Sequence, residues 1–152
     1  MDAVTYPSPE VQRTLSENFV PVQLRSSKDS AEEDRFGSFW TPAYFTLDGR
    51  GRIARRNYGY IPPDEMIAEL HLAHGQYCLM TQDYASAFDH FNQVQTGWPN
   101  SRSIEEALYW MGVSAYKRDG KPDGLIKYWR ELRDKNQSSP WWVRASFIDR
   151  QS

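Results

Sequence analysis

A four-residue turn constrains the fold of this chain more than any other feature. Asp48-Gly49-Arg50-Gly51 joins two segments of strand character, Ala43–Leu47 and Arg52–Tyr58. Glycine adopts the positive φ angles that a tight reversal needs, and aspartate favours turns through its side-chain hydrogen bonds. The first segment is short and aromatic, as a buried strand is, whereas the arginines of the second suit an edge strand. The sequence therefore predicts an antiparallel β-hairpin.

Helices and one further strand are predicted on either side of this hairpin. Ser8-Pro9-Glu10 has the residues of a helix start, and apolar residues follow it at near-helical spacing. A helix start also occurs at Pro62-Pro63-Asp64-Glu65, with an apolar face behind it. The remaining predicted elements are a short strand at Val20–Leu24 and a charged surface helix from Lys28 to Arg35.

From Gly75 onward the sequence pattern is all-helical, and two consecutive helical hairpins are predicted. Each has a glycine on its first helix and a large aromatic residue on its second. The marking residues of the first hairpin are Gly75, Tyr84, Ala87, Phe91, Val94 and Pro99, and those of the second are Ala107, Leu108, Met111, Gly112, Ala115, Tyr116, Leu125, Trp129 and Leu132. Ser103 and Glu106 are predicted to form a capping box. A last helix starts at Ser139-Pro140-Trp141-Trp142.

Composition and charge argue against several classes of function. The formal net charge is −2, so no strong field directs the chain to nucleic acid or to an anionic membrane. No apolar run approaches the roughly 20 residues that a membrane span needs, and the absence of a signal peptide indicates a cytoplasmic protein. Cys78 is the single cysteine, so no internal disulfide is expected. Aromatic residues make up 14% of the chain, which indicates either helix packing by large rings or an exposed surface that binds a protein or peptide partner.

The first half of the chain resembles the thioredoxin-like family in the order of its elements. Phe19-Val20-Pro21-Val22 resembles the strand that follows the family's active-site helix, and Phe36–Pro42 resembles the segment that ends in a cis proline. The hairpin and the helix from Gly59-Tyr60 to Leu72 complete the resemblance. It implies an α/β, thioredoxin-like domain over residues 1–75, N-terminally incomplete and with about three strands. An all-α tail of helical hairpins would follow over residues 76–152.

The family's catalytic motif has no counterpart in this chain. In thioredoxin-like proteins a Cys-x-x-Cys pair begins a helix, upstream of residues that resemble Met1–Val4, and a central strand leads into it. The pair acts because one thiol has a lowered pKa and the other resolves the mixed disulfide. The resemblance therefore implies thiol–disulfide oxidoreductase activity, and a part in cell redox homeostasis, only if such a pair lies upstream. No catalytic residue is assigned.

Two explanations of the missing motif stay open. The chain is either a shortened product of a longer thioredoxin-family protein or a naturally reduced member that binds polypeptides. We favour the first, because Met1 lies where the motif would just have ended. Without the central strand, Val20–Leu24 and Ala43–Leu47 lack the partner that would lie between them. Either the two strands close up and pair directly, or another chain supplies a strand, or the region stays loose. We expect loosened packing or a borrowed strand, which a polypeptide partner in the gap or a homodimer formed by strand exchange would supply.

The second half resembles the tetratricopeptide repeat (TPR), including the repeats of bacterial envelope proteins. The separation of Gly75 and Gly112 is close to the repeat length of about 34 residues. The resemblance implies a protein–protein interaction module without a catalytic role, in which Tyr109, Trp110 and Trp129 line a groove. The alternative is that the hairpins only buttress the first half, since fewer than three repeats are marginally stable.

The thioredoxin resemblance gives Trp40, Thr41 and Pro42 a role in substrate or peptide binding. In the family, the residue before the cis proline offers its backbone to an extended substrate, a part that Thr41 would take here. The resemblance also predicts a cis peptide bond between Thr41 and Pro42. The alternative interpretation is a proline that simply starts a strand.

His71, His74 and Cys78 are weak candidates for a metal site, because their helical spacing places them near one another on a helix. No fourth ligand is evident except the distant His90. Cys78 also occupies a packing position, so a buried cysteine that acts as a small apolar residue is the favoured interpretation. Neither a metal nor a cofactor is predicted.

The clusters of charged residues can be explained without a catalytic or binding role. Solvated helix faces account for two carboxylate pairs, Glu65 with Glu69 and Asp83 with Asp89, more simply than acid–base catalysis does. Protection of an edge strand accounts for the arginines of the hairpin, with a phosphate or acidic-partner site as the alternative. Those arginines are Arg50, Arg52, Arg55 and Arg56. No glycine-rich phosphate loop, Ser-His-Asp order or zinc-site spacing appears in the sequence.

Overall fold

The computed structural model describes residues 1–25 and 30–151 of the chain. The elements in this part are α1 (Pro9–Asn18), α2 (Ser30–Phe36), β1 (Ala43–Leu47), β2 (Ile53–Tyr58), α3 (Pro63–Met80), α4 (Tyr84–Gly97), α5 (Ile104–Asp119), α6 (Pro122–Lys135), α7 (Pro140–Ala145) and a 3₁₀-helix (Ser146–Gln151). None of the helices described is both long and apolar enough to cross a membrane.

The predicted hairpin is present. β1 and β2 pair in antiparallel fashion, with Ala43 opposite Tyr58. Asp48 organises the turn, because its Oδ1 accepts hydrogen bonds from the backbone N–H groups of Arg50 (2.9 Å) and Arg52 (2.8 Å). Gly51 has a φ of 78°, in the left-handed region that glycine adopts without strain. The turn residues read from the sequence therefore account for the reversal.

The predicted strand at Val20–Leu24 is wrong, since these residues lie in no helix or strand. In the described part of the chain the sheet contains β1 and β2 alone, so no strand lies beside this segment to take its hydrogen bonds. Pro21 also has no N–H to donate. The side chains of Val20 and Val22 are 89% and 77% exposed. The sheet therefore has two strands instead of about three.

Two helices precede the hairpin, as predicted. Pro9 occupies the first turn of α1, although the side chain of Ser8 makes no capping hydrogen bond. Val11 of α1 is fully buried. The charged helix corresponds to α2, which begins at Ser30. Its predicted start at Lys28 lies outside the described residues.

Helix α3 is central to the packing of the chain. One part of its surface contributes Met66, Ile67 and Leu70 to a core that it shares with α1. Another part contributes Leu72 and Cys78 to a larger core among the C-terminal helices. The helix is apolar on several sides because it packs against α1, β2 and α4 together. The domain boundary predicted between residues 75 and 76 falls inside this continuous helix.

The helices after the sheet form two hairpins with the same internal contact. A Cβ atom placed on Gly75 of α3 would lie 2.5 Å from the ring of Phe91 on α4. A Cβ placed on Gly112 of α5 would lie 2.8 Å from the ring of Trp129 on α6. In each hairpin a glycine therefore lets an aromatic ring of the second helix approach the first.

Helix α7 closes the helical part by packing against α5 and α6. It begins at the predicted position, and the Oγ of Ser139 accepts a hydrogen bond from the backbone N–H of Trp141 at 3.1 Å. Trp142 and Ala145 bury their side chains in the larger core. The last predicted helix thus covers the second hairpin.

Candidate functional site

The segment before β1 carries two exposed aromatic side chains. Phe39 is 78% exposed and Trp40 is 64% exposed, and Thr41 and Pro42 are exposed as well. The peptide bond between Thr41 and Pro42 is cis, as predicted. The ring of Phe39 lies 4.4 Å from the ring of Tyr58, which holds this end of the segment against β2. Trp40, Thr41 and Pro42 thus lie at the surface, where the binding role predicted for them stays a prediction.

Half-buried aromatic rings cover one face of the hairpin next to this segment. The ring of Phe45 lies 5.7 Å from Phe36 and 6.0 Å from Tyr58. Two guanidinium groups lie over these rings, Arg35 at 5.1 Å from Phe36 and Arg56 at 6.0 Å from Phe45. We call Phe36, Phe39, Phe45 and Tyr58 the aromatic face. The aromatic face is therefore an apolar surface with two positively charged guanidinium groups beside it.

The opposite face of the hairpin is polar and packs against α3. Side chains alternate along a strand, so Tyr44 and its partner Asn57 point away from the aromatic face. Both donate to Oε2 of Glu69 on α3, at 3.1 Å and 3.0 Å. Burial and the Glu69 carboxylate raise the pKa of Tyr44 far above its usual value. The Tyr44 hydroxyl therefore keeps its proton and remains a donor.

Arg55 connects this polar face to α5. Its Nε donates to Glu69 Oε2 at 2.7 Å, and its Nη1 and Nη2 donate to the two carboxylate oxygens of Glu106 at 2.8 Å and 2.9 Å. The side chains of Arg55 and Glu106 are each 12% exposed. Burial alone would lower the pKa of Arg55, but the hydrogen bonds to Glu106 and Glu69 outweigh it and raise the pKa. We call Tyr44, Arg55, Asn57, Glu69 and Glu106 the Arg55 network.

The Arg55 network corrects three interpretations of the sequence. Arg55 does not protect an exposed edge, and Glu69 does not lie on a solvated helix face. The capping box is wrong as well: Ser103 occupies the N-cap position of α5 but donates from its Oγ to Glu69 at 2.9 Å. Glu106 is unable to reach back because Arg55 holds both of its oxygens. Hydrogen bonds between a buried arginine and two carboxylates are stronger than the hydrogen bonds of a capping box. They therefore determine the positions of the Glu69 and Glu106 side chains.

A signal for the Arg55 network was present in the sequence. Glu106 stands among apolar residues that become buried, Ile104, Ala107 and Leu108. A charged residue at such a position requires a buried partner of opposite charge. The sequence did not identify Arg55 as that partner, because the two residues are far apart along the chain.

Three other charged residues considered in the sequence, Glu65, Asp83 and Arg52, have structural partners. Glu65 accepts a hydrogen bond from the Oγ of Ser101 at 2.7 Å. Asp83 caps α4, since its Oδ1 accepts from the N–H of Ser86 at 3.1 Å. Arg52 pairs with Asp48 at 2.6 Å. These carboxylates therefore have local structural roles.

The aromatic residues predicted to line a groove pack against one another. Trp129 is 4% exposed, and its Nε1 donates to the backbone oxygen of Tyr109 at 3.0 Å. The rings of Tyr109 and Trp129 are stacked at 5.1 Å. Trp141 of α7 lies 5.3 Å from Tyr109 and 6.1 Å from Trp110. Trp129 is thus part of the core, and Tyr109 and Trp110 are half-buried. The role of these three residues in lining a groove stays a prediction.

Three potential metal ligands meet between α3 and α4. His74, Cys78 and His90 each offer one ligand atom, and these atoms all lie within 4.8 Å of one another. The rings of His74 and His90 stack at 4.0 Å with an interplanar angle of 20°. His71 lies outside the cluster, with its ring 5.3 Å from Trp98. The structure therefore joins two of the three weak candidates to His90, which seemed distant in the sequence.

Burial keeps this cluster uncharged at neutral pH. It lowers the pKa of His71 and of His74. Burial, together with the charges of His74 and His71, lowers the pKa of His90 to about 4. Burial also raises the pKa of the Cys78 thiol. The imidazoles are thus in the neutral form that binds metals.

We predict that the chain alone does not reduce disulfides. Cys78 is 5% exposed, its raised pKa disfavours the reactive thiolate, and the sequence contains no second cysteine. In an insulin-reduction assay with dithiothreitol, the chain and its Cys78→Ser variant should both match the rate without protein. Turnover that disappears in the variant would contradict this prediction.

The comparisons with known proteins bear on the first half of the chain. Residues 1–74 match the family model of a thioredoxin-like domain. No curated protein and no solved structure matches the chain. The part that carries the aromatic face and the cis proline therefore lies within a thioredoxin-like domain.

Proposed function

We propose that the thioredoxin-like domain over residues 1–74 binds extended polypeptide at Phe39–Pro42 and the adjoining outer edge of β1. The exposed pair Phe39 and Trp40 is the observation that carries this proposal, because it directly precedes β1, whose outer edge pairs with no strand among the described residues. Exposed aromatic side chains are enriched where proteins bind one another. A strand edge without a partner offers backbone hydrogen bonds to an added strand.

The backbone of β1 supports binding by strand addition. One edge of β1 pairs with β2, and within the described residues no strand covers its other edge. β1 has five residues, so an added segment of about five residues would match its length. The exposed Thr41, which precedes Pro42 and β1, would extend this edge.

The side chains around β1 favour a particular ligand chemistry. The aromatic face offers apolar contact, and Arg35 and Arg56 place positive charge over it. Alternate residues of an added strand would project toward this face. A segment in which apolar and acidic residues occupy these alternate positions fits it best.

A synthetic peptide tests strand addition directly. The probe is a fluorescein-labelled decapeptide whose odd positions carry valine and glutamate in turn and whose even positions carry threonine, and its binding is followed by fluorescence anisotropy. Two further versions carry N-methyl groups on either the odd or the even residues, which removes alternate N–H donors. Only one version should lose binding, because one set of amides faces β1. Equal binding by both versions would contradict strand addition.

Replacing the exposed aromatic residues tests the location of this surface. Trp40→Ala should weaken peptide binding about tenfold, which corresponds to about 1.4 kcal/mol and is typical of an aromatic anchor. Tyr116→Ala is the matched control, because Tyr116 is an aromatic residue on α5 that is 44% exposed. Its affinity should equal that of the parent chain. An equal loss of peptide affinity in both variants would show that the effect of Trp40→Ala is not specific to the surface near β1.

A second candidate function is a TPR-type interaction module in the helical half. The glycine–aromatic contact, repeated at Gly75 and Gly112, supports this alternative. Exposed apolar residues also occur on the first helix of each hairpin, Tyr77 and Met80 on α3 and Tyr116 on α5. If this module binds the partner, Tyr116→Ala lowers affinity and Trp40→Ala does not.

A second copy of the chain is one source of the added strand. Val20, Val22 and Leu24 are exposed at alternate positions of a segment without a strand partner. We propose that this segment pairs with β1 of another copy at high concentration. Light scattering should then show a dimer that reverts to a monomer when the decapeptide is added. A constant monomer mass would exclude strand exchange but not peptide binding.

A further inference from the structure

We propose that His74, Cys78 and His90 form a binding site for one borderline transition-metal ion, with Zn²⁺ as the expected occupant. One potential ligand atom of each residue lies within 4.8 Å of the other two. Rotation of the two imidazole rings out of their stacked arrangement would bring the three ligand atoms around a single ion. The site is independent of peptide binding at β1.

The helices place the ligands in a chelating arrangement. His74 and Cys78 are four residues apart on α3, so they occupy the same side of that helix. Two metal ligands at this spacing on one helix are a recurrent arrangement in zinc sites. His90 comes from α4, which packs directly against α3. An ion would therefore connect the two helices of the first hairpin.

Two nitrogen atoms of this cluster are available to an ion. The Nδ1 atoms of His74 and His90 are buried, and no described residue makes a hydrogen bond to them. Buried polar atoms in proteins are nearly always paired, and each exception requires an explanation. The two rings instead stack face to face at 4.0 Å. A metal ion between α3 and α4 would occupy a nitrogen lone pair of each imidazole.

The three proposed ligands favour some metal ions over others. A thiolate with two imidazoles suits Zn²⁺, whereas Mg²⁺ and Ca²⁺ require oxygen ligands. On binding, the Cys78 thiol gives its proton to solvent and its sulfur forms the bond to the ion. Asp83 lies close enough to act electrostatically on both Cys78 and His90, and its negative charge favours a cation there.

A fourth ligand position would remain for water. His90 also lines a surface cavity, together with His71, Glu10 and Glu17. Solvent can therefore approach the cluster from the side of His90. Three protein ligands with an open fourth position are the arrangement of zinc sites that bind water.

Titration of the full chain without an affinity tag tests the site. The protein is treated with a chelator, kept reduced, and titrated with Zn²⁺ by calorimetry and with Co²⁺ by absorption spectroscopy. We expect one ion per chain and a sulfur-to-cobalt charge-transfer band in the near ultraviolet. Mg²⁺ should not compete. No binding of Zn²⁺, or binding of Co²⁺ without that band, would overturn the proposal.

Three variants assign the ligands. Cys78→Ser should abolish the charge-transfer band and weaken Zn²⁺ binding at least about 100-fold, since even the loss of an outer-shell partner costs 10–100-fold. His90→Gln should weaken binding similarly, and it keeps the test open if Cys78→Ser does not fold. His71→Gln is the comparison variant, because His71 lies on α3 with its ring 5.8 Å from that of His90 but is not one of the three ligands. Binding that survives in a folded Cys78→Ser or His90→Gln, or fails in His71→Gln, would overturn the assignment.

Discussion

Replacement of Arg55 by methionine should lower the free energy of unfolding by about 3–5 kcal/mol, the usual cost of removing one partner from a buried ion pair. Arg55 makes three hydrogen bonds to the carboxylates of Glu69 and Glu106. Methionine replaces the apolar part of the arginine side chain but carries no charge, so both carboxylates would stay in place without their cation. Urea denaturation followed by tryptophan fluorescence measures the change.

Arg52→Met is the control for this prediction. Arg52 belongs to the same hairpin, but its side chain is 57% exposed and forms its ion pair with the turn residue Asp48. The loss there should stay below about 1 kcal/mol, as for other exposed ion pairs. Equal losses in the two variants would show that the Arg55 network does not stabilise the fold.

A triple variant separates the charge of the Arg55 network from its packing. Glu69→Gln and Glu106→Gln remove the two negative charges that Arg55→Met leaves behind. When all three changes are combined, much of the stability should return, because a buried ion pair often contributes little beyond uncharged residues of similar size. A triple variant as unstable as Arg55→Met would mean that the specific hydrogen-bond geometry carries the stability.

Local features of the fold were predictable from the sequence. The turn at Asp48–Gly51 contains its own hydrogen-bond acceptor and a glycine at the position with positive φ. The close approach at Gly112 followed from its place in a helical pattern. In each case the determining residues are neighbours in sequence, or their structural role follows from periodicity.

The predictions failed where a residue depends on a distant partner. Val20–Leu24 has the composition of a strand, but a strand forms only beside another strand. Arg55 resembles a surface residue until α3 and α5 place two carboxylates next to it. Likewise, His90 joins His74 and Cys78 because α4 packs back on α3. Pattern alone does not predict such pairings, since they depend on which helices meet.

Gly112→Val should destabilise the helical half by about 3 kcal/mol, at the upper end of the range for overpacking. A Cβ atom at Gly112 would lie 2.8 Å from Cδ1 and Nε1 of Trp129 and 3.2 Å from the backbone oxygen of Leu125. Trp129 cannot easily move aside. Its Nε1 donates to the backbone of Tyr109, its ring stacks on that residue, and it is 4% exposed. Thermal and urea unfolding followed by circular dichroism measure the loss.

Gly97→Val is the control, because Gly97 is likewise a helical glycine, the last residue of α4, but no described atom lies within 4 Å of a Cβ added there. Its change should stay below about 1 kcal/mol, the range of intrinsic helix propensities. A double-mutant cycle with Trp129→Leu then tests the cause. The smaller side chain should make Gly112→Val less costly, since residues in contact are energetically coupled. Strict additivity of the two changes, or a Gly112→Val variant as stable as the parent chain, would show that the contact between α5 and α6 is not the one described.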